Sequence, residues 1–240
     1  MFKTYLNWSS GKDAALALYR LQNSKEYTIE KLVTTLNSEV DRVSMHGLRK
    51  ELLIQQAQSL GIPLQLIELD GTVSMEEYNA VMKKSVSRLV TEGFTHSVFG
   101  DIFLEDLKKY REEQLKTVGI TAVFPLWKND TKELILEFIK LGFKAITVCV
   151  NAKVLDKSFC GREIDLEFIN SLPLGVDPCG ENGEFHTFVY DGPNFKAPVK
   201  FEVGEIIERK YSPSKSDKDC FKDKPQSWDT AFWYCDLIPK

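Results

Sequence analysis

The sequence predicts an α/β protein in which a doubly wound parallel sheet is followed by a smaller α+β domain. Short apolar runs alternate with helical patterns through the first half of the chain. After Trp127 the sequence pattern changes gradually, and the stretch Leu172–Pro198 is rich in Gly, Pro and Asp. The 240 residues, 43% of them hydrophobic, suffice for one large or two small domains with a buried core. We therefore predict a first domain at residues 1–124 and a second at 125–240.

The first domain alternates predicted strands and helices. Gly61 is a C-cap signal for the second helix, and a capping box at Ser74 opens the third. Such alternation indicates a parallel sheet covered on both faces, which binds ligands at the carboxyl ends of its strands. The predicted elements are strands Thr4–Trp8, Leu32–Leu36, Leu64–Leu69, His96–Gly100 and Ile120–Leu126, and helices Lys12–Gln22, Leu48–Leu60, Ser74–Glu92 and Leu104–Val118.

The second domain is predicted to be richer in strands. A capped helix at Asp130–Leu141 leads into a strand at Ala145–Val150. Two long strands are predicted at Lys200–Tyr211 and Trp228–Leu237. The charged, Pro-containing segment Ser212–Ser227 between them is predicted to be a loop.

Charge and cysteine usage narrow the function class. The net charge of −4 lacks the basic excess that a nucleic-acid footprint needs, so we do not expect a nucleic-acid partner. The chain shows no signal peptide and no apolar run of membrane-spanning length, so we expect no membrane partner. Its five cysteines are odd in number and never in a C-x-x-C pair. Reduced cysteines in a cytoplasmic enzyme fit this pattern better than disulfides or a zinc ribbon.

A candidate phosphate-binding loop lies between the first strand and the first helix. It reads Trp-Ser-Ser-Gly-Lys-Asp over residues 8–13. Such a junction offers free N–H groups at the positive end of a helix dipole. Gly11 lets an anion approach the backbone, and the hydroxyls of Ser9 and Ser10 can donate to phosphate. Lys12 adds a cation, and Asp13 can hold Mg²⁺. The alternative is an ordinary Ser/Asp helix cap.

This loop resembles the S-G-G-x-D-S loop of the ATP pyrophosphatases, also called the PP-loop or adenine nucleotide alpha-hydrolase superfamily. The resemblance implies a Rossmann-like first domain that binds ATP at Ser9–Asp13 and cleaves it between the α- and β-phosphates. Two positions depart from the pattern. Ser10 replaces the middle Gly, and Ala14 replaces the final Ser, which removes a hydroxyl often assigned to phosphate binding.

Four further motifs occur in a fixed order and narrow the resemblance. They are Met45-His46-Gly47, Phe99-Gly100-Asp101-Ile102, Phe124-Pro125-Leu126-Trp127 and the run from Gly175 to Thr187, which contains Gly-Glu-Asn-Gly-Glu-Phe-His-Thr. Together they resemble the diphthine–ammonia ligase family, and most of all its unassigned bacterial-type relatives. The resemblance extends over nearly the whole chain, to about Pro193.

Two of these motifs are predicted to reach the nucleotide or the substrate. Gly100 and Asp101 end the fourth strand at the edge where the phosphate loop lies. A glycine there permits close approach of a nucleotide, and Asp101 is a candidate ligand for Mg²⁺ or acceptor for ribose; a plain strand-ending turn is the alternative. His46 precedes a helix and is predicted to contact substrate or adenine, with a cap or surface role as the alternative.

The last motif concentrates proton-handling groups on one turn. Glu181, Glu184 and His186 lie within six positions on a Gly-flanked turn that leads into an apolar strand. Two carboxylates and an imidazole can hold an amine, bind a cation or move a proton. A solvated acidic turn is the alternative. Cys179 and Asn182 on the same turn are candidate substrate-binding residues.

The resemblance implies an ATP- and Mg²⁺-dependent ligase. A substrate carboxylate would attack the α-phosphorus of ATP, and ammonia or another amine would displace AMP from the acyl-adenylate. Asp13, Glu181, Glu184 and His186 would be catalytic, and Asp13 and Asp101 would hold the metal. In the ligase family the acyl group belongs to a modified histidine of translation elongation factor 2, whereas the bacterial-type wording here leaves the acyl group open, as a protein side chain or a small molecule.

Two other functions fit the same residues. One is a PP-loop transferase that modifies tRNA or a small molecule, although the chain lacks paired cysteines and a basic domain. The other is a non-catalytic sensor of ATP or AMP, which the departures at Ser10 and Ala14 would suit. Product analysis separates them, because only the ligase forms amide, AMP and pyrophosphate together. A homodimer is also compatible with the sequence.

Overall fold

The computed structural model describes residues 1–43, 46–71, 74–211 and 230–240. Strands and helices alternate up to the sixth helix, and the remaining elements are strands. The strands are β1 (Phe2–Asn7), β2 (Tyr27–Asn37), β3 (Arg42–Val43), β4 (Leu64–Leu69), β5 (His96–Val98), β6 (Thr121–Val123), β7 (Lys144–Asn151), β8 (Phe185–Asp191), β9 (Phe201–Tyr211) and β10 (Thr230–Pro239). The helices are α1 (Lys12–Gln22), α2 (Lys50–Leu60), α3 (Met75–Thr91), α4 (Glu105–Lys116), α5 (Thr131–Lys140) and α6 (Leu166–Ser171).

The first sheet is the predicted doubly wound parallel sheet. Its parallel strands lie in the order β4-β2-β1-β5-β6, and the short β3 pairs antiparallel with the end of β2. The strand order reverses direction at β1, between β2 and β5. Ligands of doubly wound sheets bind at the carboxyl ends of the strands at this switch point. The phosphate loop follows β1 and Gly100-Asp101 follows β5, so both motifs lie at that crevice.

The second sheet is antiparallel and has the order β8-β7-β10-β9. Together with α5 and α6 it forms the predicted smaller α+β part. β8 is an edge strand of this sheet and packs against α1, and its Val189 N–H donates to the Ser10 carbonyl at 3.0 Å. The second sheet is therefore joined directly to the phosphate loop.

Hydrophobic residues form two clusters on opposite faces of the first sheet. Alternation along β1 sends Tyr5 to one face and Leu6 to the other. The Tyr5 face is covered by α3 and α4 through residues such as Leu89 and Leu115. The Leu6 face lies in a larger cluster that continues through α1, α2 and α5 to Phe188 of β8. Since this core is shared by both sheets, the division at residue 124 stays a prediction.

Local signals placed most helix ends correctly. Gly61 ends α2 in a left-handed conformation with φ 70°. The capping box of α3 is present between Ser74 and Glu77, and Asp130 caps α5 through the Glu133 N–H. β3 and α6 were not predicted. β5 ends two residues before its predicted end, and β6 ends three residues before its own. The predicted loop Ser212–Ser227 lies outside the described residues.

The described residues contain neither paired cysteines nor a helix of membrane-spanning character. Cys149, Cys160, Cys179 and Cys235 are free and buried, as expected for reduced thiols, and Cys220 lies outside the described ranges. None of the helices in the described part of the chain has the length and apolarity that crossing a bilayer requires.

Candidate functional site

The phosphate loop (residues 8–13) presents the start of α1 to a cleft. Gly11, and not a Ser or Asp, is the N-cap of α1, and it makes no side-chain cap hydrogen bond. The Lys12 N–H donates to Thr187 Oγ1 of β8 at 3.0 Å. The structure therefore does not contain the ordinary Ser/Asp cap that was the alternative. The positive end of the α1 dipole faces the cleft, where an anion is stabilised.

Ser10 occupies the position at which the resembled loop has glycine. Its φ is 73°, in the left-handed region that costs about 1–2 kcal/mol for a residue with a Cβ. Its side chain is fully buried, and its Oγ has no hydrogen-bond partner within the described residues. Ser10 does not line the cleft, whereas Ser9 and Gly11 do. The predicted donation from the Ser10 hydroxyl to phosphate is thus corrected: burial directs this hydroxyl beneath the loop.

A buried glutamine holds the loop from below. Gln56 of α2 accepts from Trp8 Nε1 at 2.8 Å and donates to the Ser10 carbonyl at 3.0 Å. The same amide donates to the Val189 carbonyl of β8 at 2.5 Å. Gln56 is fully buried. One side chain therefore satisfies polar groups of the phosphate loop and of the second sheet, which fixes the loop relative to β8.

Lys12 and Asp13 form a close ion pair at the head of α1. Lys12 Nζ lies 2.8 Å from Asp13 Oδ2 and 5.5 Å from the ring centre of Phe185. Burial opposes the charge on Lys12, but the Asp13 carboxylate outweighs it and the pKa of Lys12 is raised. Desolvation raises the pKa of Asp13, which Lys12 offsets only in part. A cation that binds Asp13, or an anionic ligand that binds Lys12, can separate this pair.

The end of β5 brings a second carboxylate to the same place. A Cβ on Gly100 would lie 2.9 Å from the Asp13 carbonyl carbon, so the group that closely approaches Gly100 is the backbone of α1. Gly100 still lines the cleft, and its contact with nucleotide remains a prediction. Asp101 pairs with Arg111 of α4 at 2.9 Å. Burial and the neighbouring Asp13 raise the pKa of Asp101, and Arg111 lowers it.

Two histidines, His46 after β3 and His186 of β8, lie beside the phosphate loop with their rings tilted by 35°. The ring centres of His46 and His186 lie 4.8 Å apart, and His46 Nδ1 lies 3.2 Å from the Thr187 carbonyl, to which it donates as the Nδ1–H tautomer. A Cβ on Gly11 would lie 3.1 Å from His46 Cε1. Burial lowers the pKa of His46 to about 3 and that of His186 to about 4. Both imidazoles are therefore neutral near pH 7 and are weak proton acceptors.

Across the cleft lies the acidic turn (residues 177–184), and its Glu181 lines the cleft wall. Glu181 Oε1 accepts from the Ile102 N–H at 2.7 Å, which ties the turn to the end of β5. Burial raises the pKa of Glu181 to about 7, and the nearby Asp13 and Asp101 charges add to that rise. A carboxylate with a pKa near 7 is matched to proton transfer at neutral pH.

Glu184 lies inside the turn and does not line the cleft. Its Oε1 accepts from the Asp177 N–H and from Asn182 Nδ2, both at 3.1 Å. The residue is buried, and its Oε2 has no hydrogen-bond partner in the described structure. The structure thus places Glu184 within the turn and away from the cleft wall, and its catalytic role stays a prediction. Asn182 does line the cleft, although its amide is already engaged with Glu184.

Cys179 is placed in the cleft wall as a protonated thiol. Its Sγ donates to the Thr131 carbonyl at 3.2 Å, and the residue is buried. Desolvation raises the pKa of this thiol well above its ordinary value. An un-ionised thiol is a poor nucleophile, so contact with substrate is the remaining role for Cys179.

One cleft of about 910 Å³ collects these groups. It begins at the phosphate loop and the acidic turn and continues between α3 and α4 over Tyr5, Val33 and Phe99. The predicted site residues that line it are Ser9, Gly11, Lys12, Asp13, His46, Gly100, Asp101, Cys179, Glu181, Asn182 and His186. Only Ser10 and Glu184 of the predicted set are absent from its wall.

The carboxylates suit a hard cation held jointly with phosphates. Within the described ranges, no group of three or more His, Cys, Asp and Glu side chains is arranged to hold a metal ion alone. Mg²⁺ commonly binds through one or two carboxylates, water and substrate phosphates. Asp13 raises the pKa values of Asp101 and Glu181, and Asp101 adds to the rise at Glu181, a repulsion that a cation would relieve.

Several functional contacts were missed by the sequence analysis. Gln56, Thr187, Arg111 and Asp177 each hold a predicted site residue in place. Asp177 and Thr187 lie inside the motif at residues 175–187, although their contacts were not predicted, and Asp177 Oδ1 accepts from the N–H groups of Cys179 and Glu181 at 2.9 and 3.1 Å. Gln56 and Arg111 sit on helix positions where a single polar residue gives no pattern.

Two family models match this chain. The family model "Diphthamide synthase N-terminal domain" matches residues 2–122, and "Diphthamide synthase C-terminal domain" matches residues 130–216. The chain belongs to the diphthamide synthase family. The resemblance to this family that the motifs predicted is thereby confirmed. Strand β10 (Thr230–Pro239) lies beyond both matches.

Two relatives of this chain carry the name diphthine–ammonia ligase. The Schizosaccharomyces pombe protein is 30% identical over 219 residues, which cover 84% of this chain and 36% of the relative. The Danio rerio protein is 29% identical over 167 residues, which cover 63% of this chain and 65% of the relative. This chain thus spans just over a third of the first and under two thirds of the second. A solved Methanocaldococcus jannaschii protein, titled a predicted subunit of tRNA methyltransferase, aligns at 17% identity over 61% of this chain and 80% of its own, with a TM-score of 0.43.

Proposed function

We propose that this protein is an ATP-dependent ligase that adenylates a carboxylate and transfers the acyl group to ammonia. The observation that carries the proposal is the shared cleft. Its wall contains the start of α1 with Lys12. The acidic turn with Glu181 faces it. The first set of groups suits a pyrophosphate leaving group, and the second suits removal of a proton from an amine. The names of the relatives supply the amine, ammonia.

In the first half-reaction, a carboxylate oxygen of the substrate attacks the α-phosphorus of ATP, and the bond to the bridging oxygen of pyrophosphate breaks. The Ser9 hydroxyl, the positive end of the α1 dipole and the Lys12 ammonium would hold the departing pyrophosphate. Asp13 and Asp101 would hold Mg²⁺, which would neutralise charge on the phosphates when bound. The neutral His46 and His186 rings border the loop without adding a competing positive charge.

In the second half-reaction, ammonia attacks the acyl carbon, AMP leaves with the carboxylate-derived oxygen, and one proton must be removed from nitrogen. Glu181 is the group best matched to accept it, because its pKa is about 7. His186, with a pKa of about 4, is a weaker base and is better suited to orient the amine by hydrogen bonding. Cys179 and Asn182 would contact the acyl group.

Product analysis tests the proposal. The protein would be incubated with ATP, MgCl₂, ammonium chloride and size-fractionated cell extract as the source of carboxylates. We expect one fraction to give AMP and pyrophosphate in equal amounts, dependent on ammonium, by ³¹P NMR. With an ¹⁸O-labelled carboxylate from that fraction, AMP should gain one ¹⁸O. ADP and phosphate as products would contradict the proposal, and tight ATP binding without turnover in every fraction would support a nucleotide sensor.

A further inference from the structure

The C-terminal strand β10 is connected to the active-site cleft through an arginine clamp. Asp236 of β10 accepts from Arg49 Nε at 3.0 Å and from Arg49 Nη2 at 2.6 Å. Arg42 Nη1 lies 3.0 Å from the same carboxylate and also donates to the Gly47 carbonyl at 2.6 Å. The bidentate geometry is the strongest form of an Arg–carboxylate pair. The two arginines hold the Asp236 pKa below its ordinary value.

The clamped segment is the one that carries His46. Arg42 and Arg49 flank it and are themselves joined by an isolated β-bridge. The Val43 N–H donates to the Leu48 carbonyl at 2.8 Å, which holds Leu48, two residues after His46, against the end of β3. Gly47 has φ 64°, and a Cβ there would lie 2.9 Å from the ring of Tyr234, also on β10. Strand β10 therefore contacts residues on both sides of His46 through a charge and an aromatic ring.

Asp236 lies on β10, the strand between β7 and β9 in the second sheet. Pairing with β7 covers Phe232–Tyr234, and pairing with β9 continues on both sides of Asp236. The β9–β10 register places Gly204 and Glu205 opposite Asp236 alone, which is a β-bulge. Bulges re-aim side chains, and a Cβ on Gly204 would lie 3.1 Å from the Asp236 carbonyl oxygen. The carboxylate is thus set toward the arginines by backbone geometry.

We propose that Asp236, with Arg42 and Arg49, positions His46 against Gly11 of the phosphate loop. The contacts run from Asp236 to the two arginines and from Arg42 to the Gly47 carbonyl beside His46. His46 in turn lies against Gly11 and the Thr187 carbonyl. Asp236 touches no part of the cleft and is a positioning residue. The site is then incomplete without a strand that lies beyond both family matches. The effect on nucleotide binding rests on the proposed function.

A double-mutant cycle on nucleotide affinity tests the positioning role. Calorimetric binding of the analogue α,β-methylene-ATP would be compared for the wild type, Asp236→Asn, His46→Ala and the double variant. We expect Asp236→Asn to weaken binding about tenfold in the wild type and less than about twofold when His46 is already absent, since the two residues act through one path. Equal weakening in both backgrounds would overturn the proposal, because a general loss of structure does not depend on His46.

Matched variants and a second readout keep the two proposals separable. Glu202→Gln removes the partner of Lys240, an exposed ion pair at 2.9 Å on the same sheet, and should change affinity less than about twofold.

The protein has only three histidines, so the imidazole NMR resonances can be assigned. Asp236→Asn and Arg49→Gln should shift the His46 resonances and leave those of His96 unchanged. If the wild type binds no analogue, the proposed function fails, whereas unshifted His46 resonances in both variants would overturn the clamp itself.

Discussion

The two walls of the cleft are built by different means. The phosphate loop is held by neutral hydrogen bonds with a buried amide, Gln56, and by the Lys12 N–H, which donates to the Thr187 hydroxyl. The acidic turn is held by carboxylates within it, because Asp177 and Glu184 accept from its own N–H and amide groups. The first wall offers N–H groups and a cation to a ligand, and the second offers one carboxylate, Glu181. Under the proposed function, the first wall would bind the anion and the second would remove the proton.

The largest effect is expected from Asp13→Asn on the phosphate-loop wall. Turnover, measured as AMP formed with an active extract fraction, should fall about 100-fold or more, because Asp13 acts on charge that develops as pyrophosphate leaves. Affinity for the ATP analogue should change far less. Asp106→Asn, on an exposed position of α4, is the control. Wild-type turnover by the Asp13 variant would remove this residue from the mechanism.

The acidic-turn wall is tested by exchanging its two glutamates. Glu181→Gln should slow amide formation about 100-fold while acyl-adenylate still forms and can be trapped with hydroxylamine. Glu184→Gln should have a smaller effect on amide release, because this side chain faces into the turn. A larger loss in the Glu184 variant would reverse the assignment of roles.

The pH dependence gives the same wall a separate test. A general base acts in its deprotonated form, and burial raises the pKa of Glu181 to about 7. The rate of amide formation at fixed free ammonia should therefore rise as pH increases through about 7 and level off above it. In Glu181→Gln this limb should disappear. A limb that persists unchanged in the variant would show that another group titrates.

The bracing of the phosphate loop predicts a stability effect. Gln56→Ala removes three hydrogen bonds and leaves buried polar groups of Trp8, Ser10 and Val189 without this partner. We expect a loss of about 2–4 kcal/mol in the free energy of unfolding, measured by urea denaturation. Gln58→Ala, at an exposed position of the same helix, should change it by less than about 0.5 kcal/mol. Equal losses would mean that Gln56 does not brace the loop.

The smallest effect is expected from Ser10→Gly. The substitution removes the strain of a left-handed residue with a Cβ and a buried hydroxyl without a partner in the described structure. The greater freedom of glycine in the unfolded chain opposes part of that gain. A net stabilisation of about 0.5–1 kcal/mol is predicted, and a lowered unfolding midpoint would contradict the strain argument.

The sequence predicted the first sheet better than the packing around the site. Period-two and helical patterns locate β1, α1 and β4, because burial on a regular element repeats along the chain. The motifs placed Asp13, Asp101 and Glu181 in one cleft because they follow strands or turns that converge. Gln56 and Asp236 left no such signal, since each is a single polar residue whose partners are distant in sequence. The orientation of Glu184 into its turn also depends on side-chain packing that spacing alone does not encode.

A crystal structure with α,β-methylene-ATP tests the central claim most directly. The account predicts the β- and γ-phosphates on the N–H groups at the start of α1 beside Lys12, with Glu181 facing the α-phosphate from across the cleft. A triphosphate bound away from residues 9–13 would contradict the account, as would a bound nucleotide with the acidic turn displaced from the cleft.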